Sequence, residues 1–187
     1  MRRQADTGIK MNDALFNEIN AEYDKFYREL LRSGRLPMWS TGKGFWNAAI
    51  SSEIYRGFGK IRLWRFKNFL DLGSGDGKVT LIAALFCQNA EGIEVDEFLH
   101  NKANEMKMKF RIENAKFHNK DFFEHNLTAY DILFLNPDAP MDRGLELKLL
   151  KEMKGRLVHY GYHFHPRYLK NEARFVVNGN LVSLYSR

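Results

Sequence analysis

The sequence is short of several things, and each shortage narrows what it can be. Among 187 residues there is one cysteine, Cys87. A single thiol excludes an intramolecular disulfide framework and a multi-cysteine zinc site, and it suits a reducing compartment. The longest apolar run, Leu81 to Cys87, is far below the roughly 20 residues that cross a bilayer. Met1-Arg2-Arg3-Gln4-Ala5-Asp6 is followed by no apolar stretch of the kind a secretory signal carries. A cytoplasmic protein without a membrane span is therefore expected. There is no internal repeat and no low-complexity tract.

What is present reads as globular. Hydrophobic residues make up 44%, aromatics 14%, and charged residues of both signs 28%, enough for one real core. The net charge of +6 is uneven: residues 1–70 hold 13 Lys/Arg against 7 Asp/Glu, and the rest hold 16 of each sign. The excess is densest at Arg56, Lys60, Arg62, Arg65 and Lys67. Such an excess is the footprint that anionic or macromolecular partners, nucleic acid among them, would use; the plainer reading is a solvated surface.

Apolar residues at Leu15, Phe16, Ile19, Tyr23, Phe26, Tyr27, Leu30 and Leu31 recur at helical spacing, which predicts an amphipathic helix over 12–31 ended by Ser33-Gly34. A loop over 34–44 and a second helix over 45–55 follow. From Phe66 the pattern alternates: strands over 66–72, 90–95, 115–118, 130–135 and 157–162, helices over 79–87, 97–111 and 145–153. Asn178-Gly179 then joins two last strands in a hairpin. Alternation of this kind builds a doubly wound, mostly parallel sheet whose ligands bind beyond the carboxyl ends of the strands. On the strand over 157–162 and its continuation, His159, His163 and His165 would share one face.

The segment Asp71-Leu72-Gly73-Ser74-Gly75-Asp76-Gly77-Lys78 lies between an apolar strand and an apolar helix. Glycines let the backbone turn tightly and approach a ligand, and a helix start offers free N–H groups. A P-loop is excluded, because Gly77-Lys78 is followed by Val79 and Leu72 stands where its first glycine belongs. A dinucleotide fingerprint would need glycine at position 78, and Asp76 would repel a pyrophosphate. A ligand without phosphate fits better.

These residues resemble the Asp-x-Gly-x-Gly-x-Gly motif of class I S-adenosylmethionine-dependent methyltransferases, within Phe69-Leu70-Asp71-Leu72-Gly73-Ser74-Gly75-Asp76-Gly77-Lys78-Val79. Three later stations agree in order. Glu94, with Val95, ends the next strand, where the family grips ribose hydroxyls. Asp121 and Phe122 stand where an acid reads the adenine amino group beside an apolar wall. Asn136-Pro137-Asp138-Ala139 resembles the Asn/Asp-Pro-Pro-aromatic motif of enzymes that methylate planar amino groups, with Asp138 and Ala139 departing from it. The chain also looks like small archaeal-type protein-lysine methyltransferases, in which a Pro/Thr loop before the first strand closes over the methionine end of the cofactor. Thr41, and more weakly Trp39, fit that place.

The resemblance implies an α/β fold with a doubly wound, mostly parallel seven-stranded sheet ending in an antiparallel hairpin. Residues 1–65 would form an N-terminal helical extension serving as substrate selector or lid, and 66–187 the methyltransferase domain. It implies S-adenosylmethionine held by Thr41, Asp71, Gly73, Ser74, Gly75, Asp76, Gly77, Glu94, Val95, Asp121 and Phe122, with Asn136 at the reacting centre and no metal. The expected reaction is N-methylation of a macromolecule, protein lysine ahead of an RNA amino group. A non-catalytic binding module is the alternative from another class.

Overall fold

The computed structural model describes residues 9–142 and 144–187, and the chain divides into two compact units between Pro37 and Met38. Among its described residues the first unit holds one helix, α1 (Ile9–Arg32). Its Ile19, Tyr23, Phe26 and Leu30 are buried, at the spacing of three and four residues that aligns side chains on one face. Gly34, at φ +77°, ends it: Arg35 N–H reaches Leu30 O at 2.8 Å and Gly34 N–H reaches Leu31 O at 3.0 Å, the crossed pair of a Schellman stop.

The second unit begins with a short antiparallel hairpin, β1 (Met38–Ser40) and β2 (Phe45–Asn47), and continues into α2 (Ser51–Lys60). Strands and helices then alternate as β3 (Asn68–Leu72), α3 (Lys78–Ala84), β4 (Asn89–Glu94), α4 (Glu97–Phe110), β5 (Ala115–Asn119), β6 (Ile132–Leu135), α5 (Leu145–Glu152) and β7 (Arg156–Tyr160). The hairpin of β8 (Lys170–Val177) and β9 (Asn180–Ser186) closes the chain. β3 to β9 form one seven-stranded sheet in the order β5-β4-β3-β6-β7-β9-β8. Neighbours from β5 to β7 are parallel, and β9 runs antiparallel to both of its neighbours. Strand order reverses at β3, which opens a crevice between the carboxyl ends of β3 and β6.

Alternate side chains of the central strands feed two different layers. Leu70, Leu72, Leu133 and Leu135 join Leu145 and Leu149 of α5 in an aliphatic cluster. Phe69 and Phe134 point the other way, where Phe58 of α2 meets both edge-on at 5.4 and 5.8 Å. Asn178 and Gly179, at φ +50° and +93°, make the primed turn that the dipeptide predicts.

Two expectations need correction. Phe45–Asn47 is a strand and not the start of a helix, because Trp46 pairs across the hairpin with Trp39, ring centroids 4.3 Å apart, and Thr41 N–H closes the turn on Gly44 O at 2.8 Å. The helix starts six residues later than expected, at Ser51. β7 stops at Tyr160, since Gly161 at φ +114° turns the chain out of the sheet. His163 and His165 therefore do not alternate with His159 along a strand. The chain folds back instead, stacking His165 on buried His159 at 4.3 Å and leaving His163 exposed. Among the described residues, no group of three or more His, Cys, Asp or Glu side chains is placed to hold a metal ion.

Candidate active site

A cavity of about 280 Å³ opens beyond the carboxyl ends of β3, β4, β5 and β6. β3 contributes Leu72 and Gly73, β4 contributes Ile93, Glu94 and Val95, and the segment after β5 contributes Lys120, Asp121, Phe122 and Phe123. Leu135, Asn136, Pro137 and Asp138 come from β6 and the loop after it, and Thr41, Lys43, Phe45 and Trp46 from the β1–β2 hairpin. Of the residues predicted from sequence, Thr41, Gly73, Glu94, Val95, Asp121, Phe122 and Asn136 meet on this wall. Asp71, Ser74, Gly75, Asp76 and Gly77 do not line it; all five are buried.

Those five shape the wall from behind. Asp71 accepts the Thr80 hydroxyl at 3.1 Å. Burial pushes its carboxyl up to about 8; the Thr80 hydrogen bond opposes this, and the charges of Glu94 and Asp76 add to it. Gly75 has φ +54°, and a Cβ there would lie 2.4 Å from the Trp46 indole. A Cβ on Gly77 would meet Ala103 of α4 at 2.5 Å and Phe117 of β5 at 2.8 Å, so this glycine lets helix and sheet close together. The Asp76 side chain accepts Lys78 N–H at 3.2 Å, turning the loop into α3.

Glu94 is fastened at both oxygens: Gly75 N–H donates to Oε2 and Asp96 N–H to Oε1, each at 2.8 Å. Burial raises its carboxyl above the ordinary range, and these backbone donors only partly counter that. Val95 N–H adds a third backbone contact to this carboxylate, and of the about two bonds that each oxygen accepts, at least one site remains for a ligand. Asp121 accepts Phe123 N–H at 2.9 Å and the Lys43 ammonium at 2.6 Å. Burial would raise its carboxyl, but Lys43 and the Phe123 N–H outweigh burial and hold it below the usual range. Asn136 is exposed, and its side chain takes part in no hydrogen bond among the described residues.

The β1–β2 hairpin covers this wall through contacts that sequence reasoning missed. Lys43 pairs with Asp121, Asp138 Oδ2 accepts Phe45 N–H at 2.5 Å, Trp46 lies over Gly75, and Trp39 meets Phe98 of α4 at 5.8 Å. The one signal available was Asp138 itself, an acid where the resembled motif has proline. Its carboxylate is spent on the hairpin backbone.

The basic stretch does not form one face at the cavity. Arg56 bonds Asn178 at 2.7 Å and Lys60 bonds Val176 O at 3.2 Å, both at the β8–β9 turn. Lys67 immediately precedes β3, at the amino ends of the parallel strands, away from the cavity at their carboxyl ends.

The donor set suits S-adenosylmethionine. Carboxylates at Glu94 and Asp121 offer acceptors to hydroxyl and amino groups, with Val95 and Phe122 as apolar neighbours for a flat ring. A pyrophosphate would instead face those two acids. No curated protein sequence matches the chain. Among solved structures, the fold is similar to an RNA methyltransferase from Salinibacter ruber in complex with S-adenosyl-L-homocysteine, at 20% identity and TM-score 0.66, over 74% of this chain and 92% of that one. It is also similar to the Pyrococcus abyssi tRNA (uracil-54, C5)-methyltransferase with the same ligand, at 16% identity and TM-score 0.63, over 80% of this chain and 44% of that one. A family model described as a methyltransferase domain matches residues 66–177. With strand order, strand-end acids and family match in agreement, the chain belongs to the methyltransferase domain family and is a class I S-adenosylmethionine-dependent methyltransferase.

Proposed function

We propose that this enzyme methylates an amino group of an RNA. The observation that carries the reading is the exposed Asn136 amide on the cavity wall together with two exposed rings, Phe45 and Phe123, at 49% and 44% exposure. Sequence alone left Ala139 where the resembled motif has a stacking aromatic. Phe45 and Phe123 supply aromatic surface on the same wall, and a planar base needs such surface. The side-chain oxygen of Asn136 accepts an N–H of the target amine and aims the nitrogen lone pair at the methyl group. S-adenosylmethionine supplies a methyl carbon already bonded to its leaving group, so alignment carries much of the catalysis.

The protein-lysine reading asks for more. A lysine ammonium, with a reference pKa of about 10.4, must lose a proton before it attacks, and Asp138, the acid beside Asn136, is engaged by Phe45 N–H. The two similar structures named above act on RNA, which favours the same order. For the cofactor we assign ribose contacts to Glu94, adenine contacts to Asp121, Phe122 and Val95, backbone contact to Gly73 and closure to Thr41. Asp71, Ser74, Gly75, Asp76 and Gly77 act by holding that wall in shape. To residues 1–65 we assign substrate selection or closure of the site, the β1–β2 hairpin among them serving as the lid.

The test is transfer of labelled methyl groups to RNA and to protein fractions in parallel. Label in RNA is expected, and Asn136→Ala should lower kcat by about a hundredfold or more while leaving S-adenosylhomocysteine affinity unchanged. Label confined to lysine side chains, or an undiminished rate in Asn136→Ala, would overturn the reading.

A further inference from the structure

Beyond the cavity, the segment that follows β7 has no role in the site as described. After Gly161 turns out of the sheet, Tyr162 and Phe164 stand 52% and 39% exposed. Phe164 sits at φ +57°, a region bulky residues avoid, so the fold holds a strained backbone while leaving an aromatic ring in water. The Tyr162 hydroxyl donates to Gly179 O at 3.0 Å, which fixes that ring against the β8–β9 turn. Arg56 reaches the neighbouring Asn178 at 2.7 Å and remains exposed.

A hollow of about 200 Å³ lies between this segment and the loop after β6, with Phe164, His165 and Arg167 on one side. Pro140 lines both this hollow and the cofactor cavity, so the two adjoin at that residue. Residues 161–170 contain Arg167, Lys170, His163 and His165 and no acid. The hollow's acids are Asp142 and Glu146, and Glu146 is already bound to Tyr168 N–H at 2.6 Å. Exposed rings interleaved with cationic groups suit a single strand of nucleic acid, whose bases stack while its phosphates meet positive charge.

We infer that Tyr162 and Phe164, flanked by Arg56 and Arg167, form a base-stacking platform for single-stranded RNA that leads substrate past Pro140 toward Asn136. This rests on the RNA reading above and adds where the strand outside the cavity lies. A short basic peptide is the competing occupant, and the cationic flanks disfavour it.

The experiment is fluorescence anisotropy with a labelled oligouridine of about twelve nucleotides, within the usual site size, beside an abasic oligomer of equal length and a lysine-rich peptide. The variants are Tyr162→Ala and Phe164→Gly; the second removes the ring and also relieves the positive φ, so loss of folding does not explain its effect. Each variant should bind oligouridine at least about fivefold more weakly than the parent. Abasic binding and S-adenosylhomocysteine affinity by calorimetry should stay at parental values. The platform is refuted if the parent binds the two oligomers equally or not at all, if the double variant stays within twofold of the parent, or if the peptide alone binds in a loop-dependent way. Label transfer from the preceding experiment separates the failures: RNA methylation that is indifferent to both variants overturns the platform and leaves the RNA reading standing.

Discussion

The cavity has two sides built in different ways. Its back wall, from β3 through the glycine loop to β4, is packed: Asp71, Ser74, Asp76, Lys78, Thr80 and Glu94 are all buried, and each bend of the loop is held by a backbone hydrogen bond or by a glycine that a Cβ would crowd. Its cover, the β1–β2 hairpin, exposes Met38 and Phe45 and is held over the wall by one ion pair, one side-chain acceptor and the tryptophan contacts. Segments with few buried contacts open at lower free energy than a packed core. The wall therefore fixes geometry, and the cover is the part able to move.

Gly75 is where the two sides touch, and substitution there has the largest expected effect. Gly75→Val places a β-branched residue at φ +54° and drives its Cβ to 2.4 Å from Trp46. S-adenosylhomocysteine binding should disappear in calorimetry, and the melting temperature should fall. Combining it with Trp46→Ala sharpens the comparison. If the damage passes only through the cover, removing the indole restores binding; if the strained wall matters, the double variant remains defective by roughly the 1–3 kcal/mol that such backbone strain costs. Incomplete rescue is the expected result. Full rescue would show that the wall tolerates a side chain.

The same contrast explains what could be read from the sequence. The wall was legible because parallel buried strands write continuous apolar runs, and because Asp71 to Gly77, Glu94 and Asp121 stand at strand ends in a fixed order. What could not be read was which of them face the ligand space. Asp71 and Asp76 look like ligand contacts in one dimension, yet neither lines the cavity, and their carboxylates accept from the Thr80 hydroxyl and from Lys78 N–H, a matter of pleat and loop path rather than of residue type. The cover was illegible for a different reason. Three-residue strands carry too little alternation to register, and Phe45-Trp46-Asn47 has no intrinsic preference that outweighs the Trp39–Trp46 pairing. Lys43 and Asp138 are 78 and 93 residues from their partners Asp121 and Phe45, so no local pattern announces either contact.

A second prediction probes the wall alone. Asp71 keeps its proton to about pH 8 in the folded chain, whereas an unfolded aspartate loses it near 3.9. Between those values the native state binds more protons, so the Asp71 contribution to stability is complete below the unfolded value and is lost as pH rises toward 8. Asp71→Asn cannot titrate and should remove up to about 1.4 kcal/mol of stability change per pH unit across that window. Urea unfolding at several pH values between 4 and 8 reads it. Parallel slopes in parent and variant would mean that Asp71 is ionised in its pocket.

The smallest expected effect tests the cover. Lys43 holds Asp121 Oδ2 at 2.6 Å, yet its own side chain is 60% exposed, a setting in which water and salt take back most of the attraction. On our assignment the adenine amino group takes a remaining acceptor site of the same carboxylate, so the Lys43 contact pins the hairpin over a group that the ligand must reach. Lys43→Met leaves the alkyl stem over the wall and removes only the charge. S-adenosylhomocysteine should then associate and dissociate a few times faster, with its Kd within about threefold of the parent, and the fluorescence of Trp39 and Trp46 reports both rates. High salt applied to the parent should move the rates the same way, since the Debye length shrinks to about 3 Å at 1 M. Rates unchanged in both conditions would mean that Trp46 on Gly75 and Asp138 on Phe45 hold the hairpin without help, and that the cover is as fixed as the wall beneath it.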